Sequence, residues 1–292
     1  MNRGLAFTVM FFACGCTFIT SSRDFEEREP PLECGNDLGS PIVDMRLDLT
    51  DMNAHEDNLV MADLVQVGPA MRRQVGRVIY DPLGSANLQL ELPCAVRDGN
   101  HDVDLVADLT GDGTFQPCDF IRGELSCGDH QWRLRLQADG RLAYQHDTDF
   151  TDVIGDRATP RGELPLRALF RNLEQFAGMM MEVRIRLLDD NGESKSTIFI
   201  YRRQQIPAMN FAFGMQSQDN LVMRGERFKI AIWIDTNRDG IYDPPSEERT
   251  DRDYATFIDG LADAPSIVPP DPGGLRIVFD GNALPPTADV LF

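Results

Sequence analysis

"IAIWIDTNRDGIYDPP" (Ile230–Pro245) runs from an alternating apolar stretch into a cluster of acids closed by Asp-Gly and two prolines. It has an echo upstream, "VDLVADLTGDGTFQPC" (Val103–Cys118), built in the same order: apolar strand, Asp, polar residues, Asp-Gly, aromatic, proline. Asp108, Thr110, Asp112, Gly113, Phe115 and Pro117 fall on Asp235, Asn237, Asp239, Gly240, Tyr242 and Pro244. Further on, "DHQWR" (Asp129–Arg133) is answered by "DRDYA" (Asp251–Ala255), which shares an Asp-x-x-aromatic frame. Each stretch reads as a β-strand that ends in a tight acidic turn.

Working outward, "MNAHEDNLVMADLVQ" and "LEQFAGMMMEVRIRL" each turn from a polar approach into a strand, and "RVIYDP" and "TIFIYR" supply another apiece. Short period-two runs with Gly, Asp, Asn and Pro between them recur along the chain, and convincing helical period is scarce; only "LRALFRNLEQFAGMM" suggests a short helix. The expected fold is all-β: two antiparallel β-sandwiches in tandem, immunoglobulin-like or transthyretin-like. The sequence divides into a leader (1–16), an N-terminal arm (17–40), a first domain (41–155) and a second, duplicate domain (163–292), broken at "DVIGDRATPRGE". One hairpin can be worked to its register. A three-residue loop at Ala138-Asp139-Gly140 pairs Gln137 with Arg141, Leu134 with Tyr144 and Trp132 with His146, which puts the apolar side chains on one face.

The formal charge of -19 disfavours nucleic acid and anionic lipid heads as partners. "MNRGLAFTVMFFACGCTFITSS" has one basic residue, Arg3, then an apolar run from Leu5 to Ala13 that is too short to span a bilayer, so it reads as an export signal. Its end, "ACGC", resembles a bacterial lipobox, which implies a membrane anchor through a lipid on Cys16, with Cys14 as the alternative. Ala13 stands where that pattern prefers Leu, so plain cleavage and secretion stay open beside an outer-membrane or periplasmic lipoprotein. Cys34, Cys94, Cys118 and Cys127 then read as two disulfides, for which three pairings exist. Cys118 and Cys127 are spaced to clamp the longer first-copy loop, a clamp of roughly 2–3 kcal/mol, which leaves Cys34 to pin the arm to Cys94.

The acidic turns invite calcium. Asp235, Asn237 and Asp239 offer oxygens at the first, third and fifth positions before a glycine, as an EF-hand loop does, although Ser246 stands at the twelfth. The stretch also resembles the "DTNxDGxxD" calcium loops of bacterial surface β-sandwich repeats, which implies a further ligand from Asp243. In the first copy Asp108, Thr110 and Asp112 offer a weaker set, and the alternative in both is an Asx-turn that needs no ion. "DHQW" and "QHDTD" raise a metal or general-base reading for Asp129, His130 and His146, set against half-buried histidines in a core. The second copy carries no histidine, and nucleophile-elbow, zincin, P-loop and dinucleotide motifs are absent. "ADLTGDGTFQPCDFIRGELSCGDHQWRLRL" resembles a repeat, roughly "ADxNxNGxYDxPPxDHxWR", of uncharacterised secreted proteins of Gram-negative bacteria. That resemblance implies an envelope β-domain with no catalytic residues to carry over. The expected function is a non-catalytic binding or structural module with a protein or glycan partner. The rivals are a metal-dependent hydrolase and a carbohydrate-binding module.

Overall fold

The alternation seen in the sequence becomes strand. In Val43–Thr50, Met45, Leu47 and Leu49 are buried while Asp44, Arg46 and Asp48 alternate with them toward the other face. In Arg227–Asp235, Phe228, Ile230, Ile232 and Ile234 share one core face. The computed structural model of the chain describes residues 34–37, 40–113, 119–121, 124–126, 128–146, 158–213, 220–239, 253–261, 275–281 and 287–291.

The first half holds β1 (Asn36–Asp37), β2 (Ser40–Pro41), β3 (Val43–Thr50), β4 (Leu59–Val67), β5 (Arg72–Asp81), β6 (Leu88–Val96) and β7 (Asn100–Asp108). It continues with β8 (Asp119–Ile121), β9 (Glu124–Ser126), β10 (His130–Arg135) and β11 (Arg141–Gln145). The second half holds β12 (Leu164–Arg171), β13 (Met180–Leu188), β14 (Ser194–Arg203), β15 (Phe211–Phe213) and β16 (Asn220–Val222). Then come β17 (Arg227–Asp235), β18 (Tyr254–Leu261), β19 (Leu275–Asp280) and β20 (Thr287–Leu291). The stretch expected as a helix is β12 and the start of β13 around a 3-10 turn, Glu174–Phe176.

In the first half, β10-β7-β4-β5 packs on β11-β3-β6. In the second, β14-β13-β17-β18 packs on β15-β12-β19-β20, with β16 also on β12. The first strand of each half runs parallel to its late partner, β3 with β11 and β12 with β19. An immunoglobulin sandwich would unite its first, second, fourth and fifth strands. Here the second, third, fifth and sixth major strands share a sheet, so the sandwich does not follow the immunoglobulin strand order.

The hairpin expected from Trp132 to His146 does not form. β10 pairs with β7 and β11 with β3, in opposite sheets. The turn itself is as expected, with Gly140 N–H donating to the Gln137 carbonyl at 3.0 Å and Gly140 at φ 78°. A Cβ on Gly140 would lie 2.1 Å from the Asp44 carbonyl oxygen. The chain therefore crosses from sheet to sheet at this glycine, and the apolar faces of β10 and β11 meet across the core instead of side by side.

The two halves are joined through one sheet. β5 and β14 lie edge to edge and parallel, pairing from Arg77 with Phe199 to Asp81 with Arg203. One eight-stranded sheet results, in the order β10-β7-β4-β5-β14-β13-β17-β18. Its two halves mirror each other strand for strand, down to a bulge between Leu64 and Val65 that is matched between Ile185 and Arg186. Because matching strands run parallel across the junction, the relating axis lies along the strands, and each half turns the opposite face inward. Ile79 of β5 accordingly packs in the second core and Ile200 of β14 in the first. Glu182 is enclosed by Arg184 and Arg202 at the junction, and the Arg202 guanidinium stacks 5.3 Å from the Tyr80 ring centre.

Cys34 and Cys94 form the expected disulfide, across a sequence separation of 60. A loop of that length is worth roughly 4 kcal/mol in chain entropy. Asp44 Oδ1 lies near the bridge and accepts the Cys94 N–H at 3.0 Å. Cys34, Asp44 and Cys94 come together, but sulfurs joined to each other are poor metal ligands. Cys118 and Cys127 lie outside the described residues, as do Cys14 and Cys16. Their neighbours Asp119 and Ser126 face each other at the open end of the β8–β9 pair.

Candidate functional site

Two features recur at the same end of the two halves: an acidic turn after β7 or β17, and a ring cluster beside it. In the first turn the Asp108 carboxylate accepts Thr110 Oγ1–H at 3.1 Å, Gly111 N–H at 2.7 Å and Gly113 N–H at 2.8 Å. In the second, Asp235 Oδ1 accepts Arg238 N–H at 2.6 Å. Asn237 and Asp239 bond each other, Asp239 N–H reaching Asn237 Oδ1 at 3.1 Å. At the matching position, three residues after the strand-end Asp, Gly111 (φ 70°) and Arg238 (φ 63°) are both αL. The sequence alignment of the two turns is thus also the structural one: Asp108 bonds Thr110 in the first, and in the second Asn237 bonds Asp239 while Asp235 takes the Arg238 amide. Asp243 lies outside the described residues. These oxygens suit a hard cation chemically. Both turns are also closed by their own hydrogen bonds, as an Asx-turn is.

Each turn is braced from below by a buried carboxylate. Asp129 Oδ1 accepts Leu109 N–H at 3.0 Å, and Asp253 Oδ1 accepts Thr236 N–H at 3.0 Å. Asp253 Oδ2 also takes the Trp233 indole N–H at 2.9 Å. The residue matching Asp129 is therefore Asp253, two places beyond the expected Asp251. Strand register agrees, since His130 faces Ala107 and Tyr254 faces Ile234, each one residue before its turn. Asp129 is fully buried and holds backbone, which suits a brace better than a general base.

The expected His130 and His146 meet around Trp132, with ring centres 5.9 and 5.7 Å from the indole. His55 completes the group from a 3-10 turn (Met52–His55), 5.4 Å from His130, 5.1 Å from His146 and 5.3 Å from Trp132. The sequence patterns give no place to His55. A signal for it does exist: "MNAH" aligns with "LEQF", and both turns follow an αL residue, Asp51 or Asn172. In the second half the corresponding ring slot holds Phe176, Tyr254 and Phe279, at 6.0 and 5.9 Å. There Phe176 stands for His55, Tyr254 for His130 and Gly281 for His146. The last match follows from Gly281 N–H donating to Arg171 O as His146 N–H donates to Thr50 O. Trp132 and Trp233 are both core residues, 3% and 1% exposed, so neither offers a saccharide platform.

Fold and site together define an all-β protein whose two sandwiches share one sheet, with a braced acidic turn in each half. No protein-family model matches the chain, and no curated protein does. Among solved structures it is similar to the tip fimbrial protein Mfa3 from Porphyromonas gingivalis with C-terminal truncation. That likeness has 9% identity and a TM-score of 0.19, over 81% of this chain and 94% of that one. A likeness at that level carries no weight for fold or function.

Proposed function

We propose that the chain is an exported, non-catalytic binding or structural module of the cell envelope, with a protein or glycan partner. The observation that carries this reading is what the two halves share. Both keep the braced acidic turn and the packed ring slot, while His55, His130 and His146 give way to Phe176, Tyr254 and Gly281. What recurs is scaffold and acidic turn, and the three imidazoles, the groups suited to proton transfer or transition-metal binding, do not. The Cys34–Cys94 bridge supports an oxidising compartment. The leader-like "ACGC" and the envelope-repeat resemblance support export and anchoring through Cys16, or Cys14. Calcium belongs to the same reading, as an ion added to an already closed Asp235 turn. The rival is a metal-dependent enzyme, favoured by the three imidazoles gathered at Trp132.

Two measurements test this. A fatty-acid analogue is expected to label the protein, and Cys16→Ser to abolish the label; a mature N-terminus starting after Thr20 would remove the lipid anchor. Metal analysis of purified protein is expected to find calcium or no metal. Stoichiometric zinc or copper, lost in the His130→Ala, His146→Ala double variant, would overturn the module in favour of the enzyme.

A further inference from the structure

At the end of the shared sheet where β5 and β14 part, a cleft of about 510 Å³ opens between the halves. The strands pair only from Arg77 and Phe199 onward. Before that point both carry a bulge against their neighbour, and bulges bend and twist a strand. The segment at Thr159 occupies the exposed edge of β5, its N–H donating to Arg72 O at 2.8 Å. The cleft is thus a product of the junction, and neither sandwich alone would form it.

Its charge runs against the rest of the protein. The chain has 28 basic and 47 acidic residues. The cleft is lined by Arg73, Arg97, Arg161, Lys195 and Arg227 against Asp190 and Glu226. Glu226 is already engaged by Arg161 and by Met223 N–H at 2.8 Å. Arg73 donates to the Arg161 carbonyl at 2.9 Å and Arg227 to the Asp190 carbonyl at 3.1 Å, neutral acceptors that leave both charges uncompensated. Lys195 is exposed and has no ion pair or hydrogen bond among the described residues. A second observation is independent of charge. Thr197, fully buried in the cleft wall, has a hydroxyl without a hydrogen-bond partner among the described residues. An unsatisfied buried hydroxyl is destabilising, and a ligand or ordered water in the cleft would supply the partner it lacks.

We propose that this cleft binds a small oxyanionic ligand, held by Lys195, Arg227 and Arg73 over the Thr197 hydroxyl. Guanidinium and ammonium groups suit carboxylate, sulfate and phosphate oxygens alike, and the volume is that of a small-molecule site. At physiological ionic strength screening over about 8 Å blunts repulsion from the distant acidic surface, so the local cations dominate.

Calorimetric titration of the full chain with citrate, sulfate and phosphate, each alone in about 0.15 M salt, distinguishes the oxyanion sources. At least one is expected to bind saturably. Lys195→Glu is expected to weaken that binding by about tenfold or more. Arg141→Glu, the same charge change on exposed β11, is expected to leave it unchanged. Thr197→Val should also weaken binding while leaving the ligand-free melting temperature level or higher, because it removes an unsatisfied group. Absence of saturable binding for all three anions would overturn the proposal. So would an unchanged affinity in Lys195→Glu or in Thr197→Val.

Discussion

Glu182 sits with no exposed surface between Arg184 and Arg202, themselves 0% and 1% exposed on their side chains. Burial pushes its carboxyl up, but the two guanidiniums outweigh burial and hold it below the usual carboxylate range. A folded-state value below the unfolded one means that the stabilisation is fully present above the unfolded value, and it is lost as pH falls through the folded one. Chemical denaturation between about pH 6 and pH 3 should therefore show stability falling toward acid. Glu182→Gln should lose about 3–5 kcal/mol near neutral pH, because it removes the buried charge that both guanidiniums bond, and should flatten the acid limb. If Glu182→Gln unfolds like the parent across that range, the triad does not hold the junction. In the run "MEVRIRL" Glu182 and Arg184 read as the outward face of an alternating strand. They are outward with respect to their own core, and only the shared sheet turns that face toward the first half. Alternation reports which residues share a face, never what lies opposite it.

The acidic turns show how far local chemistry carries at the level of an element. Asp at the strand end, glycine or a tolerated αL residue three places on, and a closing Asp-Gly are all local, so the two turns match on sequence alone. The brace beneath each turn comes from a strand some 20 residues away, and register decides which carboxylate arrives. Matching by the aromatic frame selects Asp251, whereas strand pairing delivers Asp253. The same limit explains the hairpin that does not form, because a well-made turn at Gly140 fixes the local bend without saying whether its strands stay in one sheet. Asp253→Ala should cost about 1–3 kcal/mol by stranding the buried Trp233 indole N–H and the Thr236 amide. Asp251→Ala leaves both of those bonds in place and should cost less. Urea denaturation of the two variants checks this, and equal losses would return the brace to Asp251.

At the scale of the whole molecule the question is whether two sandwiches joined by one sheet melt as two bodies or one. Each core borrows a side chain from the other half, Ile79 going to the second and Ile200 to the first. The junction adds the five-residue parallel pairing of β5 with β14, the Arg202–Tyr80 stack, and Asp81 held by Arg203 and by the Tyr201 hydroxyl at 2.8 Å. A chain of separate domains would lose little at such a seam. Here opening one half would expose the other's core edge and strand the buried Glu182 cluster, so partial unfolding is penalised from both sides. Calorimetry should therefore show a single transition, with the calorimetric and van't Hoff enthalpies equal. Ile79→Ala and Ile200→Ala are the discriminating variants, because each deletes methylenes from the half that does not encode the residue. Each should cost about 2–5 kcal/mol and lower the one transition as a whole. Two resolved transitions, with each variant moving only the one that belongs to its own strand, would mean that the halves fold as neighbours and that the junction is contact without coupling.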